Sequence, residues 1–540
     1  MEQRNGTPIS KGIAVGRIWC YSNEKQSIPK YKVQHTEEEV ARYEAAKGTA
    51  SAELEALYKK ALDEVGESDA AIFDAQSMML SDEDFNELVY HFIRSEQVNA
   101  EYAVTVAEEK FVNIFSHMQD DYMKARAEDV RDVSQRLIAI LTGQPRSRQM
   151  GGEPVIVAAK ELSPSQTVQM DKNKLLGFVT ETGSSNSHTA ILARTMRLPA
   201  LSGIEAAEQW DGRLAVIDGD EGVLYIDPDE ETVAQARKRC CEEEERTKRL
   251  QRLKGKETVT RAGRKILLYA NVGNLSDVEA ALANDAEGVG LLRSEFLYLK
   301  KKTFPTEEEL FSCYRMAAEL LEGKRLTIRT LDIGADKQAD YFGLKQEENP
   351  AMGFRAIRVC LDRPEIFKTQ LRAVLRAGYY GDVAVMYPMI ISVKEVRAIS
   401  QIVEEVKQEL TREHIPFGDV EQGIMIETPA AALISDRLAG EVDFFSIGTN
   451  DLSQYTLAVD RQNAKLEAYF DAHHPAILRM IRMVVENGHK GGCKVGICGE
   501  LAADLTLTET FISMGVDELS VAPGSILPLR ERIRSLDNPG

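Results

Sequence analysis

The chain has 540 residues, 43% apolar and 28% charged, the profile of a globular protein with material for several cores. Lys and Arg number 66 against 86 Asp and Glu, a net charge of −20, which argues against a general nucleic-acid or anionic-membrane binder because either needs a basic field. The N-terminal MEQRNGTPIS has no signal-peptide core, and no run approaches the ~18 apolar residues of a membrane span.

In chain order, KGIAVGRIW (Lys11–Trp19) is short, glycine-punctuated and strand-like. From about Thr36 to Thr142 glycine and proline almost vanish. Apolar residues recur there at helical spacing, as in Leu54, Leu57, Tyr58 and Ala61, or Phe111, Ile114, Phe115 and Met118, which predicts a bundle of four or more helices. After Gly151 the texture flips to short strands split by glycine turns: VIVAA, LLGFVT, LAVID and GVLYID. The opening segment shares that texture and is expected in the same α/β unit, with the helices inserted. A charged run after Pro228 is too poor in apolar residues for a core and predicts a solvated connecting helix. The expected domains are 1–30 with 145–228, the insertion 31–144, a linker helix 229–258, and 259–540.

That last stretch alternates strands with amphipathic helices such as Pro364–Ala377, Val393–Leu410 and Ala476–Gly488. Eight strand candidates are KILLYA, GVGLL, LTI, VAVMY, GIMI, FFSI, KVGI and ELSVA, which is the rhythm of a (β/α)8 barrel. Their carboxyl ends carry Asn271, Arg293, Arg329, Asp332, Glu427, Asn450, Asp451 and Cys498, on the rim where such barrels build active sites.

Four constellations carry chemistry. In TGSSNSHTAILAR, His188 opens an apolar helical run. A helix N-terminus favours an approaching phosphate and a neutral imidazole, which is nucleophilic toward phosphorus; the alternative is a capped surface residue. Arg293, Arg329, Arg355 and Arg461 suit a small, multiply charged anion, because an unpaired guanidinium inside an apolar run must meet one; the alternative is interhelical salt bridges. Glu427 and Asp451 follow apolar strands and suit a hard ion such as Mg²⁺, or else serve as helix N-caps. The Gly448-Thr449-Asn450 turn is expected to let backbone approach a phosphate. Cys498 is either a carbon acid–base group or inert filler. The seven cysteines, Cys20, Cys240, Cys241, Cys313, Cys360, Cys493 and Cys498, form no CxxC pair, which suggests reduced thiols and a cytoplasmic setting.

The motifs DFFSIGTNDLSQ, IMIETPAA, GVGLLRSEFLY, RTLDIGADK, NPAMGFRAIR and ICGELA strongly resemble those of the phosphoenolpyruvate-utilising enzymes. The layout, including KARAEDVRDVSQRL (Lys124–Leu137), resembles the enzyme I family of bacterial sugar phosphotransferase systems over almost the whole chain. The resemblance implies that His188 accepts the phosphoryl group through Nε2, supported by Thr167 and Arg194. It implies that Arg293, Arg329, Arg355 and Arg461, with Asn349 and Asn450, clamp phosphoenolpyruvate, that Glu427 and Asp451 hold Mg²⁺, and that Cys498 protonates enolpyruvate. It further implies that the helical insertion docks a histidine-containing phosphocarrier protein, that barrels pair in a homodimer, and that the histidine domain swivels on 229–258. The sequence departs from the family in Gly183-Ser184 and Asn186-Ser187 before the histidine, and in Gln76, where some relatives carry histidine.

Rival readings fare less well. The related dikinases and synthases need a nucleotide-binding domain for which no P-loop motif appears, and a nitrogen-related paralogue an N-terminal sensory domain for which no space is expected. A non-catalytic scaffold requires missing clamp residues, and a metal-dependent lyase leaves His188 unexplained. Residues 31–140 hold 24 acidic and 11 basic residues, and residues 61–90 hold nine acids and no Lys or Arg. Such a face is expected to steer a basic protein partner.

Overall fold

The opening segment forms three strands, β1 (Glu2–Asn5), β2 (Thr7–Ser10) and β3 (Ile13–Tyr21). These belong to a computed structural model that describes residues 1–21, 28–65, 67–116, 121–143, 151–162, 166–167, 170–182, 188–196, 198–299, 301–334, 340–345, 347–461 and 463–537. The chain divides into two units, Met1–Arg246 and Thr247–Gly540.

In the first unit the helices are α1 (Thr36–Val65), α2 (Glu67–Leu80), α3 (Glu83–Glu96), α4 (Ala100–Ser116) and α5 (Asp121–Thr142). Along α1, Tyr43, Ala46, Ala50, Leu54, Leu57 and Ala61 are buried, a stripe at three- and four-residue steps that faces the bundle core. Asp82 accepts a hydrogen bond from the Phe85 amide at 2.8 Å and starts α3. Gln76 is fully buried on α2 and hydrogen-bonds Asp129 of α5. Its side chain therefore faces the bundle.

The strands β4 (Val155–Ala159), β5 (Leu175–Thr180), β6 (Ala200–Ser202), β7 (Leu214–Asp218) and β8 (Val223–Ile226) follow. With β1–β3 they form one sheet in the order β1-β8-β7-β3-β4-β5-β6-β2. β3 pairs in parallel with β4, from Arg17 opposite Val155 to Tyr21 opposite Ala159. The chain thus leaves the sheet at Tyr21 and returns one strand over, and the helices occupy the crossover that a parallel pair requires. The helix Glu230–Gln251 then carries the chain past the boundary between the units; few of its side chains are shielded, as its composition implies.

In the second unit β9 (Leu267–Val272), β10 (Gly288–Arg293), β11 (Arg325–Arg329), β12 (Val383–Tyr387), β13 (Glu421–Ile426), β14 (Phe444–Ile447), β15 (Lys494–Ile497) and β16 (Glu518–Val521) close into a barrel. Every neighbouring pair is parallel, including β16 with β9. All eight predicted strands are present. They were legible as continuous apolar runs because parallel barrel strands are buried on both faces. Leu291, Ala384, Met386, Met425, Phe444 and Cys498 pack inside the barrel. Gly423 lies opposite Phe444, and a Cβ there would fall 2.3 Å from the Phe444 ring, so glycine is required. The helices expected at Pro364–Ala377, Val393–Leu410 and Ala476–Gly488 are observed at Pro364–Ala377, Val393–Arg412 and Pro475–Lys490. Among the described residues no helix is long and apolar enough to cross a membrane.

Candidate active site

Parallel barrel strands aim their carboxyl ends at one rim, so the residues that end them or follow them converge there. Arg293 and Arg329 end β10 and β11 and are register partners. Arg293 is exposed, whereas Arg329 is buried. Arg329 Nη2 donates to Glu295 Oε1 at 2.8 Å, and Nη1 lies 3.1 Å from Asp332 Oδ2. The other oxygen of Asp332, Oδ1, accepts Arg355 Nη2 at 2.8 Å and Nε at 3.3 Å. Burial opposes the charge of both guanidiniums, but Glu295 and Asp332 more than offset it and hold them charged.

The expectation of unpaired guanidiniums is therefore corrected for Arg329 and Arg355. Charges this deep need a partner inside the protein, and a shared carboxylate supplies it. One donor is left over. Arg329 Nε is buried with no hydrogen-bond partner among the described residues, which suits an anion entering the rim.

Glu427 follows β13, and only 1% of it is exposed. It is not a helix cap, because Thr428 caps the helix Pro429–Leu433 through the Ala431 amide at 3.1 Å. Glu427 Oε1 accepts the Met389 amide at 2.6 Å, and Met389 takes a left-handed φ of 60° to present it. Burial, then the charges of Asp451 and Asp332, push this carboxyl well above the usual range, against the pull of Arg329. Asp451 lies in the first turn of the helix Thr449–Leu457, whose cap position is Gly448, so it is not a cap either. Asp451 lies close enough to raise the proton affinity of Glu427, and such a pair is a hard-oxygen donor set whose repulsion a divalent cation would relieve. The donors present thus fit Mg²⁺, with its remaining positions left to water and substrate oxygens. Packing also asks for glycine at position 448, in the turn expected to approach a phosphate. A Cβ at Gly448 would fall 3.0 Å from Glu427 Cβ and 3.1 Å from the Met425 side chain.

Asn450 and Arg461 sit at the exposed edge of the rim, and both meet Glu500. Asn450 Nδ2 donates to Glu500 Oε1 at 3.0 Å, while the Glu500 amide donates to Asn450 Oδ1 at 2.9 Å. Arg461 lies 3.9 Å from Glu500 and 4.0 Å from Asp451, loose contacts that an incoming anion could replace. Asn349 is exposed, immediately before the short helical turn Pro350–Met352. The Tyr455 phenol donates to the Ala351 carbonyl and ties that turn to the Asp451 helix. Ala356, next to Arg355, is held at φ 53° and ψ −127°, a strained conformation for a residue with a Cβ.

Cys498 follows β15 and is buried inside the barrel. Burial pushes its thiol up to about 12, so it stays protonated at neutral pH. Its carbonyl accepts Asn271 Nδ2 at 2.9 Å, and Asn271 Oδ1 accepts the Ser520 hydroxyl at 2.7 Å, which places Asn271 in a supporting role.

In the first unit His188 opens the helix His188–Met196, as expected, while Gly183–Ser187 and the imidazole lie outside what the structure describes. Arg194 Nε donates to the Ile9 carbonyl at 3.1 Å, and Thr167 is buried. Sequence reading missed Glu295, Glu500 and Tyr455, and took Asp332 only as a strand end. The usable signal was a carboxylate close to Arg293 and Arg329, as in LLRSEF and RTLDIG.

Residues 247–538 match the family described as PEP-utilising enzyme, PEP-binding domain, with residues 5–126 matching its N-terminal and 151–222 its mobile domain. The chain is 42% identical to a phosphoenolpyruvate-protein phosphotransferase of Priestia megaterium over 98% of this chain and 93% of that protein. It is 40% identical to the one of Bacillus subtilis, over 99% of this chain and 95% of that protein. A solution structure of Enzyme I aligns with 44% of this chain and 99% of its own at 36% identity, with a TM-score of 0.39.

Proposed function

The chain belongs to the PEP-utilising enzymes, and from that membership we propose that it is a phosphoenolpyruvate–protein phosphotransferase. It moves the phosphoryl group of phosphoenolpyruvate to its own His188, releases pyruvate, and passes the group to a histidine-containing phosphocarrier protein, the first step of phosphotransferase-system sugar uptake.

The observation that carries this reading is the buried Arg329–Asp332–Arg355 bridge beside Glu427, with Arg329 Nε left as an unmet donor. Phosphoryl transfer needs positioning and charge neutralisation more than covalent help. Arg293, Arg329, Arg355 and Arg461 hold the phosphate and carboxylate of the substrate, with Asn349 and Asn450 at its edge. Glu427 and Asp451 hold Mg²⁺, which supplies the remaining positive charge. His188 Nε2 takes the phosphoryl group at a helix N-terminus, where amides and dipole favour an anion. Thr167 and Arg194 support the phosphorylated histidine. The Cys498 thiol gives its proton to the methylene carbon of the departing enolate, which becomes the methyl group of pyruvate.

Residues 1–30 and 145–228 form the phosphohistidine domain, and 31–144 the carrier-binding insertion. The helix near 229–258 is the swivel, and 259–540 binds substrate and pairs in a homodimer. The enzyme works in the cytoplasm, where its substrate and carrier are found.

The test incubates the protein with Mg²⁺ and phosphoenolpyruvate carrying radioactive phosphorus. Acid-labile, alkali-stable label that disappears in His188→Ala is the expected result. Label that survives the substitution would remove His188, and no label on the native protein would remove the function. Chelation of the metal, or Glu427→Gln, should abolish labelling while leaving the fold intact by circular dichroism.

A further inference from the structure

Gln370 lies on the helix Pro364–Ala377 and is almost completely buried, an unusual place for an amide. Its Oε1 accepts the Leu331 amide at 2.9 Å. Its Nε2 donates to Ser294 Oγ at 3.1 Å and to the Tyr314 phenol at 3.0 Å. Ser294 Oγ in turn donates to the Arg329 carbonyl at 2.8 Å. One buried amide thus joins the turn after β10, the turn after β11 and the helix Glu307–Leu320 that carries Tyr314.

The placement of these contacts matters more than their number. Ser294 stands between Arg293 and Glu295, and Leu331 between Thr330 and Asp332. Every rim residue that holds Arg329, and Arg329 itself, is therefore bonded to this network or one residue from it. An apolar side chain of similar volume would fill the space but let the two turns slide past each other. A fully satisfied buried amide fixes their spacing, because each of its groups costs free energy if its partner moves away.

We propose that Gln370 is a positioning residue for the substrate clamp, setting the spacing of the Arg293–Glu295 and Arg329–Asp332 turns without touching substrate. The proposal rests on the reading that this rim binds phosphoenolpyruvate. Its effect belongs to the geometry of the clamp, so it should appear in substrate binding and transfer together. A misplacement of an ångström at a reacting centre costs up to about a hundredfold in rate.

The experiment measures KM and kcat for phosphoenolpyruvate, together with thermal unfolding, in the native chain, Gln370→Met, Ser294→Ala and the double variant. Gln370→Met should raise KM about tenfold or more with a smaller change in kcat, on a chain that still melts cooperatively. Ser294→Ala loses one hydroxyl and carries the test alone if Gln370→Met fails to fold; it too should raise KM. The double variant should be no worse than the worse single, because both break one chain of bonds. A lowered melting temperature with unchanged KM, or KM effects that multiply, would overturn the proposal. Native protein that turns over phosphoenolpyruvate normally beside variants of unchanged KM would sink only this inference. Native protein inert toward phosphoenolpyruvate would sink the functional reading as well.

Discussion

Asp332 Oδ1 accepts Arg355 Nη2 at 2.8 Å, a contact that neither residue shares appreciably with solvent. The same carboxylate faces Arg329 through its other oxygen, so one side chain sets the distance between two guanidiniums. Asp332→Asn keeps the shape and removes the charge. The guanidiniums then repel each other, and kcat/KM for phosphoenolpyruvate should fall by roughly a hundredfold or more, since removing one partner of a buried charge pair is strongly unfavourable. Steady-state kinetics decide it. An unchanged or raised kcat/KM would mean that Glu295 alone holds the clamp.

Cys498 offers a contrast in what burial does to a thiol. Raised to about 12, it is a poor nucleophile and metal ligand but remains a proton carrier at neutral pH. Cys498→Ala should slow pyruvate formation by about a hundredfold or more, the usual worth of a positioned acid. Mass spectrometry after brief iodoacetamide treatment at neutral pH should find exposed Cys241 alkylated and Cys498 untouched. Rapid alkylation of Cys498 would contradict its burial, and unchanged turnover in Cys498→Ala would remove its role.

How much of this was legible in the sequence depends on what each element is buried against. The barrel strands could be read because both of their faces are covered. β1 and β2, with EQRN and TPIS, could not, since they are exposed edge strands held by pairing with β8 and β6. The rim arginines were legible as residue types at strand ends. Their pairing was not, because Arg355 meets Asp332 from 23 residues away, across a turn that no periodicity describes. Gln370 in PEIFKTQLRAVLRA looks like a polar helix position until Ser294 and Leu331 arrive from other strands. Gln76 is the complementary case, since its place in the sequence does not reveal that α2 turns it toward Asp129 and away from solvent.

At the opposite end of the barrel, Glu518 opens β16 with its carboxylate against Gly290, where an added Cβ would fall 2.7 Å from Oε1. Burial pushes its carboxyl up to about 7, and Arg325 offsets this only partly because it pairs with Glu421 at 2.6 Å. The folded chain therefore holds a proton here that the unfolded chain, at its ordinary 4.5, releases. The stability this gives is complete below the unfolded value and is lost as pH rises through the folded one. At pH 8 the loss is at most about 3 kcal/mol. Glu518→Gln should accordingly melt several degrees above the native barrel at pH 8, with the gap closing in mild acid. A gap independent of pH would show that Glu518 is ionised throughout.

The net charge of −20 is unevenly placed, and that unevenness yields a kinetic expectation. Glu83, Asp84 and Glu87 are exposed together on α3, within a 30-residue stretch that lacks Lys and Arg altogether. Such a field accelerates encounter with a basic partner and is screened over about 8 Å at physiological salt. Glu83→Lys with Glu87→Lys should therefore slow transfer from the phosphorylated chain to its carrier by about tenfold or more at low salt. High salt should shrink the difference, because screening removes the steering from both proteins. Labelling of the chain by phosphoenolpyruvate should not change, since neither residue belongs to the clamp or to the histidine helix. Stopped-flow transfer measured across a salt series separates the outcomes. A rate that is the same in both proteins at low salt would show that the carrier docks elsewhere. A deficit that persists at high salt would show contact between these side chains and the carrier in the bound complex, with steering only a part of the effect.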